Sequence, residues 1–203
     1  SGATLTTGTN ALTANAGLTA NGTLDATSQV VTVDPTAVTG NLSGSGSASF
    51  GAGALTVTGS CSLATVTAGA GTIDIDGDLS GTAFTAGAGA LTVNGNVSTA
   101  TFTGGAGAID IDGAVTSATG FTASSTTTAV GANFTPGAFT HNSGSITFDT
   151  TDGSSIGGFA FNTVTVSANK TMTGDWTCAG LLTIDSGATL TTGTNALTAN
   201  AGL

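Results

Sequence analysis

The sequence predicts an all-β chain wound as a parallel β-solenoid (β-helix) of about 18 residues per coil and roughly eleven coils, and three observations predict it. The middle of the chain can be written in rows: ALTVTGSCSLATVTAGAG from Ala54, TIDIDGDLSGTAFTAGAG from Thr72, ALTVNGNVSTATFTGGAG from Ala90 and AIDIDGAVTSATGFTAS from Ala108. Within each row the apolar residues fall two apart in short bursts that end at Gly, which is the period of a strand and not of a helix. Long side chains are almost missing, with Lys+Arg at 1 and aromatics at 5%, so the wide apolar stripes of packed helices cannot be built.

Each element follows from those rows. Before them, VTVD at Val31 reads as a strand, and GNLSG at Gly40 parallels GDLSG at Gly77. Inside them, Leu55, Ile73, Leu91 and Ile109 share a column, and so do Val57, Ile75, Val93 and Ile111. Gly59, Gly77, Gly95 and Gly113 come next, then Cys61, Leu79, Val97 and Val115. Val66, Phe84 and Phe102 make a further column, with Phe121 displaced by a one-residue slip in the fourth row. Alternation sends Leu55 and Val57 inward and Thr56 and Thr58 outward, and coils then stack at about 4.8 Å, strand on strand. After the rows, ITFD at Ile146 reads as a strand, and Pro35 and Pro136 are placed at corners, where a missing N–H is harmless.

Charge is sparse and one-sided. A net charge of -10 leaves nothing to neutralise phosphates, which excludes nucleic acid as a partner and disfavours anionic membrane surfaces. No apolar run approaches the ~20 residues of a membrane span, so no membrane insertion is expected. Outward positions alternate down the stack as Thr56, Asp74, Thr92 and Asp110, which sets carboxylates two coils, roughly 10 Å, apart, near the Debye length.

Candidate sites come from four groups of residues. Asp74, Asp76, Asp78, Asp110 and Asp112 are oxygen donors beside Gly corners and are candidate Ca ligands; the plainer reading is a solvated face that discourages lateral sticking. Carboxylates two apart on a strand lie at a spacing that glycosidases also use, but a flat ladder supplies neither a cleft nor unequal environments, so no enzyme is predicted and no other cofactor. Thr65, Thr67, Thr85, Thr101 and Thr103 form an outward ladder, either a binding face for ice or glycan or ordinary β-propensity. Cys61 and Cys178 fall on inward positions about six coils, some 30 Å, apart, so they are expected as buried free thiols. His141 and Lys170 lack evident partners and are expected at the surface. Asn21, Asn41, Asn96 and Asn133 each begin an N-x-S/T sequon.

The stretch from Phe134 to Thr198, with FTHNSGSITFD at Phe139, FNTVTVS at Phe161 and TGDWTCAGLLTI running into SGATLTTGTNALT, resembles a module of very large secreted bacterial proteins. These are β-helical surface proteins of the filamentous-haemagglutinin and giant-adhesin type. The resemblance implies an extracellular or cell-surface stalk, sheath or filament without catalytic residues; Trp176 and Cys178 depart from the aliphatic residues it would place there. Finally, Ser186 to Leu203 repeat Ser1 to Leu18 without a substitution, so 1–203 reads as a single solenoid unit whose last 18 residues begin the next 185-residue tandem period. The expected partner is the chain itself, end to end, either as a homopolymer or as tandem repeats of one long chain.

Overall fold

The computed structural model describes residues 3–14, 18–26, 30–33, 36–150 and 152–202, and Pro35 and the ends of the duplicated segment lie outside them. The chain is an all-β parallel solenoid. One ten-stranded sheet runs from Leu18–Ala20 through Leu55–Val57, Ile73–Ile75, Leu91–Val93 and Ile109–Ile111 to Leu182–Ile184, with one strand from each coil. That makes about ten coils where division of the length suggests eleven; the ten strands span 18–184, and the residues on either side of them make up the difference, with two of the nine steps taking an extra residue. Leu55 pairs with Ile73 and Ile73 with Leu91, 18 apart, whereas Thr36 pairs with Leu55 and Ile109 with Thr128, 19 apart. The slip read in the fourth row is one of these steps.

The rest of each coil changes along the stack. Leu42–Phe50, Cys61–Thr67, Leu79–Thr85 and Val97–Thr103 are long strands that bend within themselves. Cys61 and Leu63 point inward, and so does Val66, so the inward phase shifts by one between Leu63 and Val66 and the strand turns onto a new face. Gly44 and Gly81 stand at that bend with φ of 131° and 148°, a conformation costly for any side chain, which explains the parallel between GNLSG and GDLSG. Farther on, the two halves separate. Ser154–Ile156, Lys170–Met172 and Leu190–Thr191 form one three-stranded sheet, and Ala160–Phe161, Trp176–Cys178 and Leu197–Ala199 form another. Pro136 lies outside the strands, between the bridge at Phe134 and the strand Phe139–Thr140.

Columns of like side chains fill the interior. Leu42, Cys61, Leu79 and Val97 stack in register, as do Ala48, Val66, Phe84, Phe102, Phe121 and Phe139. The Phe84 and Phe102 rings stack at 5.2 Å and the Phe102 and Phe121 rings at 4.4 Å. Beyond Phe121 the packing turns edge-to-face, with Phe134 at 5.5 Å and an interplanar angle of 88°, and it continues through Phe139, Phe148, Phe159 and Phe161 to Trp176. Of the nine phenylalanines, only Phe50 stands outside this cluster. Each fully buried ring contributes on the order of 1.5–3 kcal/mol. The paired glycines of the GAG corners are required by the stacking: a Cβ on Gly87 or Gly89 would overlap the carbonyl oxygen of Gly69 or Gly71, one coil earlier.

Three placements differ from expectation. Lys170 is buried at 1% exposure, and its Nζ donates to the Gly131 carbonyl at 3.1 Å; the apolar stem follows the inward column while the amine finds a corner carbonyl. His141 is half-buried, and its Nδ1 accepts the Ser143 N–H at 3.0 Å in a turn where Asn142 and Ser143 both have positive φ. Trp176 occupies its inward slot because its Nε1–H donates to the Gly157 carbonyl at 2.8 Å, which satisfies the one polar atom the ring brings inside. The cysteines are where they were expected: both are buried and free.

Candidate functional site

The carboxylates are held apart and used within the stack. Asp74 and Asp110 lie in the outward centre of the ten-stranded sheet, with Thr92 in register between them, so the alternation read from the rows is real. Asp76 accepts from Asn94 Nδ2 at 3.0 Å, one coil on. Asp78 accepts both the Asn96 backbone N–H at 2.7 Å and its Nδ2 at 3.2 Å. Burial, then Asp112 and Asp149, raise the Asp110 pKa above the usual carboxylate value. Among the described residues, no three His, Cys, Asp or Glu side chains come together where they could share one metal ion. The five aspartates therefore sit along a face and a corner and do not converge on a point.

Asp78 belongs to a ladder that the sequence reading missed. Asn41 Oδ1 accepts the Ser60 N–H at 2.9 Å, Ser60 Oγ accepts the Asp78 N–H at 3.2 Å, and Asn96 Oδ1 accepts the Ala114 N–H at 2.9 Å. Asn133 Oδ1, Asp152 Oδ1 and Asp175 Oδ1 accept the N–H groups of Ser155, Asn169 and Ala196 in the same manner, each at 2.8 Å. At a corner the backbone leaves the strand ladder, and an Asn, Ser or Asp oxygen supplies the acceptor that the next coil's N–H would lack. The signal was present as the polar residue before each inward apolar one in GNL, GSC, GDL and GNV. Read one at a time, these residues look like sequons and cation ligands.

The threonine ladder is longer than the five residues first named. Thr67, Thr85 and Thr103 continue in register to Thr122 and Thr140 on one side and to Ser49, Thr32 and Thr13 on the other. Each of the eight coils from Thr13 to Thr140 thus places one hydroxyl residue in this outward column, at about 4.8 Å per rung. The companion column is broken: Thr65 and Thr101 are separated by Ala83, and Gly120 follows. The face is one continuous hydroxyl row beside an interrupted one.

The ends of the solenoid form the third candidate. Thr4, Leu5 and Thr6 pair with Thr23, Leu24 and Asp25, and Leu12 and Thr13 pair with Val31 and Thr32. At the other end Leu190 and Thr191 pair with Lys170 and Thr171, and Leu197 and Thr198 with Trp176 and Thr177. The outer edges of these strands have no paired strand among the described residues, and Leu5 is 47% exposed. Edges of this kind are templates for further strands.

No protein-family model matches the chain, and neither a curated protein nor a solved structure matches it.

Proposed function

We propose that the chain is a structural segment of an extracellular or cell-surface filament, sheath or adhesin stalk, built by stacking β-coils end to end. The observation that carries this reading is that both copies of one 18-residue sequence, through the strands Thr4–Thr6 and Leu12–Ala14 and the strands Leu190–Thr191 and Leu197–Ala199, lie in one continuous parallel stack. Its mechanism is mechanical: parallel backbone ladders and side-chain columns run from coil to coil, and each added coil buries the apolar edge of the previous one. Proteolytic exposure is low as well. The sole Lys or Arg is Lys170, buried inside the stack, so the folded chain offers trypsin no accessible site. Electron microscopy of the protein as a function of concentration, and of its native source, tests the reading. Rods lengthening in steps of one unit are expected, whereas particles that stay one unit long at high concentration and in the source overturn it.

The unbroken hydroxyl column from Thr13 to Thr140 favours a second reading, a flat binding face for ice or glycan. Thermal hysteresis that is lost on Thr85→Arg, or retention on an insoluble polysaccharide that is lost in the same way, would support it. The absence of both would remove it.

A further inference from the structure

The outward face that carries the hydroxyl column is notched. Beside Thr67, Thr85, Thr103, Thr122 and Thr140 the companion positions hold Thr65, Ala83, Thr101, Gly120 and Ala138. Thr65 and Thr101 stand above Ala83 between them, and the face drops again at Gly120 and Ala138, two coils, roughly 10 Å, beyond Ala83. The Thr101 Oγ1 donates to the Thr82 carbonyl at 3.3 Å, which orients the ridge between the two notches. Gly120 is the residue that the fold leaves unexplained. The bend requires Gly44 and Gly81, and the stacking requires Gly87 and Gly89, but neither requires Gly120: its φ is not positive, and a Cβ built on it would meet nothing closer than the Ala138 carbonyl oxygen at 3.9 Å. Since Phe121 points inward, position 120 faces outward, and the bare backbone there is open on the solvent side. A glycine inside a strand weakens it, and it commonly marks a place where a ligand or another backbone comes close.

Charge narrows what the strip can take. All eleven acidic residues, Lys170 and His141 lie off these two columns, so a chain of net charge -10 presents here hydroxyl, methyl and bare backbone without a charge. An uncharged, hydroxylated ligand is the electrostatic match; ions gain nothing from it. An ice plane calls for an even array across both columns, and the companion column is interrupted. From the notches and the neutral strip we propose that this face binds an extended, uncharged β-1,4-linked polysaccharide lying parallel to the solenoid axis. The proposal rests on the second reading above and names its ligand. In such a chain successive sugars face opposite ways, so a given ring substituent returns to the same side at every second sugar, a distance close to two coils. One substituent then seats over Ala83 and the next equivalent one over Gly120. Between them the sugar hydroxyls exchange hydrogen bonds with Thr67, Thr85, Thr103, Thr122 and Thr140, of which all but the half-buried Thr122 are exposed.

Retention of the full chain on microcrystalline cellulose and on chitin, with granular starch as the α-linked control, tests it. The parent is expected to be held by at least one of the β-1,4-linked solids, to be released by the matching soluble hexasaccharide, and to pass over starch. Gly120→Thr has room for its side chain and fills the notch, so it should melt at or above the parent's temperature and weaken retention about tenfold, the effect of one lost contact of hydrogen-bond size. Ala83→Thr fills the other notch on a separate coil and should do the same, so the outcome does not hang on one variant folding. Thr165→Arg, in an outward column of the ten-stranded sheet, should bind as the parent does. Unchanged retention in folded Gly120→Thr and Ala83→Thr, equal retention on starch, or a loss on Thr165→Arg overturns the proposal. Thermal hysteresis that rises in Gly120→Thr, with no retention on either solid, assigns the face to ice and overturns the proposal while leaving the second reading standing. Neither retention nor hysteresis in the parent removes both.

Discussion

Replacing Phe102 with alanine removes the middle ring of the stacked column, which sits 5.2 Å from Phe84 and 4.4 Å from Phe121 and is 1% exposed. Truncating a buried Phe costs about 3–5 kcal/mol, and each stacked ring pair is worth about 0.5–1.5 kcal/mol beyond its area. Here the strands above and below are pinned by ladder hydrogen bonds, so the column cannot collapse into the void, and the upper part of that range applies, about 4–5 kcal/mol. In guanidinium, with a slope of roughly 4 kcal/mol per molar, the midpoint falls by about 1 M. The single Trp, Trp176, is buried in the same aromatic cluster several coils away, so its fluorescence reports whether the loss is felt along the stack. Phe102→Leu keeps most of the volume and should cost no more than about 1.5 kcal/mol. A midpoint within about 0.2 M of the parent for Phe102→Ala, or equal losses for the two variants, would refute the claim that the ring column holds these coils together. Hydrogen exchange at Phe84 and Phe121 separates a local loosening from a loss shared by the whole solenoid.

Three further outcomes follow from named groups. Burial pushes the Cys61 pKa up to about 12 and raises that of Cys178, so neither thiol should react with a disulfide reagent at pH 8 until the chain is unfolded, when both should; fast labelling of the native protein would contradict their burial. Burial lowers the Lys170 pKa despite the opposing pull of Asp149 and Asp152, so the unfolded chain binds more protons than the folded one between that lowered value and about 10.4. Stability conferred through Lys170 therefore rises with pH across that window. The Tm of Lys170→Met minus that of the parent should fall from pH 7 to 10.5, a subtraction that cancels the opposite alkaline effect of Cys61, and a constant difference would sink the argument. At the corner, Asp78→Ala leaves the Asn96 N–H without its acceptor and should cost about 1 kcal/mol, while Asp78→Asn, which keeps an acceptor oxygen, should recover most of it; equal losses in urea titrations would show that the carboxylate charge, not the acceptor, matters.

The strand columns were legible because a solenoid turns a one-dimensional period into spatial neighbours. Leu55, Ile73 and Leu91 are 18 apart in sequence and adjacent in the sheet, so spacing alone names the contacts. The same holds for the alternation of Thr56 with Asp74 and for the burial of Cys61 and Cys178. Residues outside the strict period were less legible. Lys170 looks like a surface lysine until its stem is seen in the inward column and its amine against Gly131, two coils back. Trp176 looks misplaced until the Gly157 carbonyl is found for its Nε1–H.

The sequence by itself determined the period, the inward columns, the handling of charge and the identity of the two end coils, because each of these is a repeat and repeats are visible as text. Only the tertiary structure decided the bend at Gly44 and Gly81, the corner acceptors from Asn41 to Asp175, and the full length of the hydroxyl column. Those features depend on where the backbone leaves the ladder and on which edge meets another strand. Hydrogen-bond satisfaction at a corner and edge pairing are properties of neighbours in space, and no column of letters carries them.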